Sequence, residues 1–222
     1  MDKLTEYVEQ YALIALEKQD RLALLINDQI ADLDLDAGKI RFDNFEFPVQ
    51  VLGTESDNTM NWLWAWADEQ TENMPESLLR SSRELREWGL RQGVPEFTVP
   101  SVDLGRADGH VFSMIASEIC RSSCYYRDAY DGGAVFLLLS DALIDAQPSF
   151  DLSRLSQRLL DLISRYGLNH RNVLRSYLRI RGLSARETES EITCELESRE
   201  RLSAVFDEAG RLIRLNEESV TV

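Results

Sequence analysis

Basic residues are the minority charge in this 222-residue chain, with 24 Lys and Arg against 39 Asp and Glu and a net charge of −15. Binding to a nucleic-acid backbone needs clustered cations, so nucleic acid is not an expected partner. Long apolar runs are also lacking. No stretch approaches the ~20 residues a helix needs to cross a bilayer, and no membrane association is expected. The opening Met1-Asp2-Lys3-Leu4-Thr5-Glu6 has no basic region ahead of an apolar segment, so export is not expected either. Cysteine is scarce. Three thiols cannot all pair within one chain, which points to a reduced, cytoplasmic protein.

Metal-binding spacings are missing as well. Cys120 and Cys124 are four apart, Cys194 is distant, and the two histidines are far from each other. Without a C-x-x-C or H-E-x-x-H pattern, no metal site is expected. Asp32, Asp34 and Asp36 alternate like calcium ligands, yet no loop glycine and terminal glutamate complete the pattern, and they read as a solvated helix end. Glycines stand singly at turns except for Gly132-Gly133, which excludes a phosphate loop or a dinucleotide fingerprint, and no cofactor is expected.

What is present is a foldable chain, 44% hydrophobic and 28% charged. Val8, Ala12, Ala15, Leu16, Leu22, Leu25 and Ile30 return at helical spacings, giving a first helix that should end by the acidic run and Gly38. Lys39 to Phe42 and Phe45 to Leu52 read as a hairpin, with Pro48 at an edge or bulge. Gly53 to Thr59 reads as turn material, and Met60 to Ala67 as a third strand. Asn73 and Glu76 have capping-box spacing ahead of a helix that Gly93 can close. Asp108 is a good cap for a helix over Gly109 to Cys120. Tyr125-Tyr126 and Ala134 to Leu139 then form a hairpin. Its second strand is apolar on both faces and belongs in the middle of a sheet.

After Pro148 the pattern becomes an α-hairpin, with caps at Asp151 and Asn169 and stops at Gly167 and Gly182. Strands follow over Glu191 to Leu196 and Leu202 to Leu215. The expected fold is therefore α+β: an antiparallel sheet flanked by helices, with a C-terminal α-hairpin and terminal strands. Residues 1–148 form the core domain and 149–222 a subdomain packed on it. Charge is divided along the same lines. Residues 1–76 hold 5 basic and 17 acidic side chains, whereas the α-hairpin over 151–182 carries 7 arginines and 2 acids.

Val51-Leu52-Gly53-Thr54 with Trp62-Leu63-Trp64-Ala65-Trp66-Ala67, then Leu85-Arg86-Glu87-Trp88-Gly89 through Gly93-Val94-Pro95-Glu96, resemble an uncharacterised bacterial domain family with an LGTxS…WLWAWAN signature. Asp108-Gly109-His110, Tyr125-Tyr126-Arg127 and Tyr130-Asp131-Gly132-Gly133-Ala134 follow in order, so the likeness spans roughly residues 40–140. Asp68 stands where that family carries Asn. The resemblance implies a shared fold and no particular reaction.

Three constellations are candidates for function. Alternation puts Trp62, Trp64 and Trp66 on one strand face, either as a stacking platform for a base, sugar ring or side chain, or as core beneath the helix bearing Trp88. Asp108, His110, Arg127, Tyr130 and Asp131 can converge at one rim, where Arg127 and a helix N-terminus would hold an anion and His110 would serve as a base. The plainer alternative is a cap, a surface histidine and a turn. Arg171, Arg175 and Arg179 share a helical face, as do Arg154, Arg158 and Arg165. These stripes would grip a polyanion or an acidic partner, or dock on the protein's own carboxylates.

With no nucleophile motif, an enzyme is the less favoured class. The leading expectation is a non-enzymatic interaction protein of inhibitor or immunity type with a basic protein partner. A small-ligand sensor using the tryptophans and the rim is the alternative, and a hydrolase or transferase the third.

Overall fold

A computed structural model describes residues 2–27, 29–147, 152–196 and 200–219. The chain is α+β and divides into two compact units, residues 18–148 and residues 1–17 with 149–222. The first helix, α1 (Lys3–Ile26), contributes to both, because the division falls at Glu17/Lys18.

The 18–148 unit is built on a seven-stranded antiparallel sheet. Its strands are β1 (Ala31–Asp34), β2 (Lys39–Phe42), β3 (Phe45–Ser56), β4 (Asn61–Trp64), β5 (Ser101–Asp103), β6 (Cys124–Tyr130) and β7 (Gly133–Leu139). The long β3 organises the rest: it pairs with β2 through its first four residues, then with β7 on one side and β4 on the other. β7 lies between β3 and β6, and all seven of its residues are buried. Its two-sided apolar pattern needs cover on both faces, and both are covered.

On one face, Val49, Val51, Val135, Leu137 and Leu139 meet Leu22 of α1 and Leu78 and Leu79 of α2 (Glu76–Gln92). On the other, α3 (Gly109–Ile119) lays Phe112 against Trp62 and Trp64. Lys18 fixes the second half of α1 by donating to the carbonyl of Ser117 in the last turn of α3 (3.2 Å) and to that of Ser122 just past its end (2.9 Å), and by pairing with Glu118. A cation at the carbonyl end of a helix also complements its dipole. A short α4 (Ala142–Asp145) closes the unit.

Four local expectations are corrected. The run Asp32-Leu33-Asp34 is not a helix end but the edge strand β1, paired in register with β2. Gly53 to Ser56 continue β3, so the turn comes only at Asp57–Met60. The tryptophan strand stops at Trp64, and Ala65–Ala67 form a 3-10 turn. No capping box forms: Pro75 occupies the cap of α2 without a side-chain bond, although Gly93 closes the helix in the left-handed region as expected.

The other unit contains the first half of α1, α5 (Leu152–Arg165) and α6 (His170–Ile180), followed by β8 (Ala185–Glu187), β9 (Glu191–Glu195), β10 (Glu200–Phe206) and β11 (Leu212–Ser219). The strands form a second antiparallel sheet in the order β11-β10-β9-β8. Asn169 caps α6 as expected, while the Asp151 cap lies outside the described residues. Two carboxylates of α1 bind the two ends of α6. Glu9 accepts from the Asn169 backbone N–H (2.7 Å) and from Asn172 Nδ2 (2.9 Å), and Glu17 accepts from the Tyr177 hydroxyl and pairs with Arg181 (3.3 Å). Both glutamates are buried, at 3% and 0% exposure.

Candidate functional site

The surroundings of the tryptophans decide whether a stacking platform exists. Trp62 and Trp64 are at 0% exposure and meet edge to face with ring centroids 5.2 Å apart. Trp62 contacts Phe112 and Phe136, and Trp64 contacts Phe97 and Phe112, all with centroids between 5.0 and 5.4 Å. Trp88 joins through Phe97. Edge-to-face aromatic packing at these distances is interior packing. As a stacking platform the pair is therefore corrected to core, with no ring face left for a base or sugar. The Trp64 indole N–H is satisfied inside, donating to the Glu96 carbonyl at 2.8 Å.

Trp66 is separated from the other two. Because the strand ends at Trp64, the 3-10 turn swings Trp66 out of line, half-buried, with the Arg86 guanidinium 4.5 Å from its ring centroid. A shallow groove of about 490 Å³ lies there, lined by Trp66 and the exposed face of α2.

The rim residues do gather, but around a group the sequence reading missed. Glu55 on β3 is 8% exposed, and its Oε1 accepts from the Gly109 backbone N–H at 2.6 Å, at the N-terminus of α3. Its other oxygen lies 3.9 Å from Arg127 Nε. Gly109 makes this approach possible: a β-carbon there would sit 2.5 Å from the Phe136 ring and 2.7 Å from Trp62. With only hydrogen, α3 settles onto the aromatic cluster and presents its first N–H to the carboxylate. Helix N-termini favour anions, and here the chain supplies its own.

Most of the remaining rim residues have structural work. Asp108 caps α3 by accepting from the Val111 N–H at 2.8 Å. His110 Nδ1 lies 3.1 Å from the Tyr125 hydroxyl, with its ring against Phe136. Arg127 extends over the same Phe136 ring, 6.0 Å from its centroid. Tyr130 is 53% exposed, its hydroxyl 3.5 Å from the Glu55 carbonyl, and Asp131 is exposed in the β6–β7 turn. The arrangement is a carboxylate buried among donors from its own chain, which holds α3 to the sheet.

A β-bulge hid Glu55. Val51 pairs with Leu137 but Gly53 with Phe136, so β3 spends one extra residue at Leu52 and reverses which side chains face which layer. Val49 and Val51 look towards α1 and α2, whereas Glu55 looks towards α3. Simple alternation from Val49 puts it on the wrong face.

The arginine stripe is largely docked within its own unit. Arg171 donates to the carbonyls of Thr188 and Glu189 and stacks over Phe206 at 5.7 Å. Arg175 chelates Glu187 at 2.9 to 3.0 Å, which holds that carboxyl below the usual range. Arg179 is exposed. In α5, Arg158 is buried while Arg154 and Arg165 are exposed, so these three do not form one open stripe.

The cysteines are free thiols, and burial pushes Cys120 up to about 11 and Cys124 to about 12. Among the described residues no group of three His, Cys, Asp or Glu side chains could hold a metal ion, and no helix is long and apolar enough to cross a membrane.

Fold and interior together define an α+β protein whose layers are joined through an aromatic cluster and an internal carboxylate. The chain belongs to DUF6882, a family of unknown function, whose sequence model matches residues 5–142. The match begins in α1, well before the strings that carry the resemblance, and covers almost the whole 18–148 unit. No curated protein and no solved structure matches the chain.

Proposed function

We propose that this protein is a non-enzymatic interaction module, of inhibitor or immunity type, whose acidic 18–148 unit engages a basic polypeptide. The observation that carries this reading is where the charge sits. Residues 18–148 hold eleven basic and twenty-three acidic side chains, a net −12 out of the chain's −15. Asp32, Asp36, Asp43, Asp57, Glu69 and Glu72 of this unit are all exposed. Such a surface accelerates encounter with cations and repels anions. The engagement of Asp108, His110 and Arg127 in capping, ring packing and the Glu55 contact supports the same choice over acid–base catalysis. Three free thiols favour a cytoplasmic setting.

The test is affinity capture from nuclease-treated lysate of the encoding organism at low and high salt, read by mass spectrometry. The expected result is a stoichiometric basic protein released by salt and no longer captured by a D32N/D36N/D43N variant. Recovery of no polypeptide would overturn the reading and favour the small-ligand alternative at the Arg127–Tyr130–Asp131 rim. A saturable Trp fluorescence change with a metabolite, weakened by Arg127→Ala, would establish that alternative.

A further inference from the structure

The solvent face of α2 carries six charged residues in one stripe: Glu76, Arg80, Arg83, Glu84, Glu87 and Arg91, all exposed. At 100° per residue they fall within about 100° of the helix circumference, centred on Arg80 and Glu87. Only Glu76 and Arg83 pair with each other. Among the described residues Arg80, Glu84, Glu87 and Arg91 have no ion-pair partner, although Arg80/Glu84 and Glu87/Arg91 stand at the four-residue spacing that would permit one. These side chains, with Arg86 stacked on Trp66 at one flank, line the groove of about 490 Å³.

The order of charges has a symmetry that surface helices do not need. Read from the N-terminus the stripe is −, +, +, −, −, +. Read backwards with each sign inverted, it is the same. The spacings are symmetric too: four, three, one, three and four residues. A stripe that is its own complement when reversed is what an isologous contact requires, since residue i must meet j and j must meet i.

We infer that α2 is a homodimer surface on which two copies of this chain pack their α2 helices antiparallel about a two-fold axis between Arg83 and Glu84. Glu76 then faces Arg91 of the second copy and Arg80 faces its Glu87, each contact occurring twice. Arg83 and Glu84 flank the axis on opposite sides. Leu90, 57% exposed on the Arg86 side of the stripe, adds apolar area.

The register is specified against its neighbours. A slide of one helical turn sets Arg80 against Arg83 and Glu76 against Glu87 in one direction, and Arg80 against Arg91 and Glu84 against Glu87 in the other. A parallel arrangement sets each residue against itself. Like charges thus oppose the other packings. The stripe is nearly neutral and distinct from the exposed acids invoked for a basic partner, so failure of either proposal leaves the other standing.

Sedimentation of the full chain tests the inference. Each copy carries −15, so association should be favoured near 0.1 M salt, where a Debye length of about 10 Å screens the long-range repulsion more than facing pairs. It should be lost near 1 M. R80E and E87R each turn two facing attractions into repulsions, and either variant should weaken dimerisation at least about tenfold. An equimolar mixture of R80E and E87R should associate again, because each reversed side chain then meets the other, and so should the double variant R80E/E87R. Both side chains are exposed, and circular dichroism should confirm unchanged folding. A wild-type chain that stays monomeric up to about 1 mM would overturn the inference. So would single variants that dimerise like the wild type, or a mixture that fails to associate.

Discussion

In the 18–148 unit most of the charge is outside, with Glu55 buried, and the interior is apolar: Trp62, Trp64, Phe97, Phe112 and Phe136 interlock on one face of the sheet, and aliphatic side chains with Phe42 and Phe47 fill the other. In the companion unit two glutamates of α1 are themselves interior, each bound to one end of α6. The first unit is held mainly by shape, with the Glu55 carboxylate fastening α3 to the sheet. The second adds a polar register, because Glu9 and Glu17 are satisfied only when α1 lies along α6 with Asn169 at one carboxylate and Tyr177 and Arg181 at the other. Apolar packing tolerates small slips, whereas a displaced buried carboxylate loses every partner at once. The difference also explains why acidic residues serve so differently within one helix: Glu6 lies in the first turn of α1 and is exposed, while Glu9 and Glu17 are structural.

The sharpest way to break the aromatic side of this comparison is Trp64→Ala. It empties a site closed by Phe97 and Phe112 and strips the Glu96 carbonyl of its donor, and it should cost about 3–5 kcal/mol in chemical denaturation. Trp64→Phe should cost less but more than Trp62→Phe, because the Trp62 indole nitrogen is buried with no hydrogen-bond partner among the described residues. Equal costs for the two Phe variants would show that the Glu96 bond contributes nothing.

Tyr177→Phe probes the polar side. The phenol is 1% exposed, and burial together with Glu17 pushes its pKa well above the usual value, so it remains a donor to the carboxylate. Removing one hydroxyl from a charge-assisted bond should cost about 1.5–3 kcal/mol. A loss below about 0.5 kcal/mol would mean that Arg181 alone satisfies Glu17. Smaller again, Asp108→Ala removes the cap of α3 and should cost about 1 kcal/mol, with Asp108→Ser or Asp108→Asn restoring most of it.

These sites differ in how far they could be read from sequence. The cap at Asp108, the stop at Gly93 and the β6–β7 hairpin around Gly132-Gly133 carry local signals, and the expected and observed elements coincide. β1 carries only a local alternation of Asp and Leu. Its identity as a strand comes from pairing with β2, a contact made across a turn, so the local pattern alone reads as a solvated helix end. Trp66 is legible as an aromatic but not as a departure from the strand, since the 3-10 turn depends on what β4 meets after Trp64. Glu55 required the bulge at Leu52, which falls where β3 takes up β4 as a partner besides β7. Signals confined to a few residues were readable, and those created by pairing were not.

The smallest expected effect concerns His170, which couples α6 to the second sheet. The Leu212 backbone N–H donates to His170 Nδ1 at 2.9 Å, so that nitrogen must carry a lone pair in the folded state. Burial lowers the imidazole pKa from its model-peptide value of 6.5, with Asp207 opposing the shift and Arg211 reinforcing it. Because the folded value is the lower one, the unfolded chain binds more protons once pH drops below about 6.5. The contribution is therefore complete above that point and lost as pH falls through the folded value. Melting temperature should decline slightly from pH about 7.5 to about 5, and the decline should be shallower in His170→Ala. That window lies above the range where Glu187 and Asp207, both held low by arginines, take up protons. His110 is common to both proteins, so the difference between the two slopes belongs to His170. Identical slopes would mean that the Leu212 bond contributes nothing to stability, and that α6 and β11 are held by their other contacts.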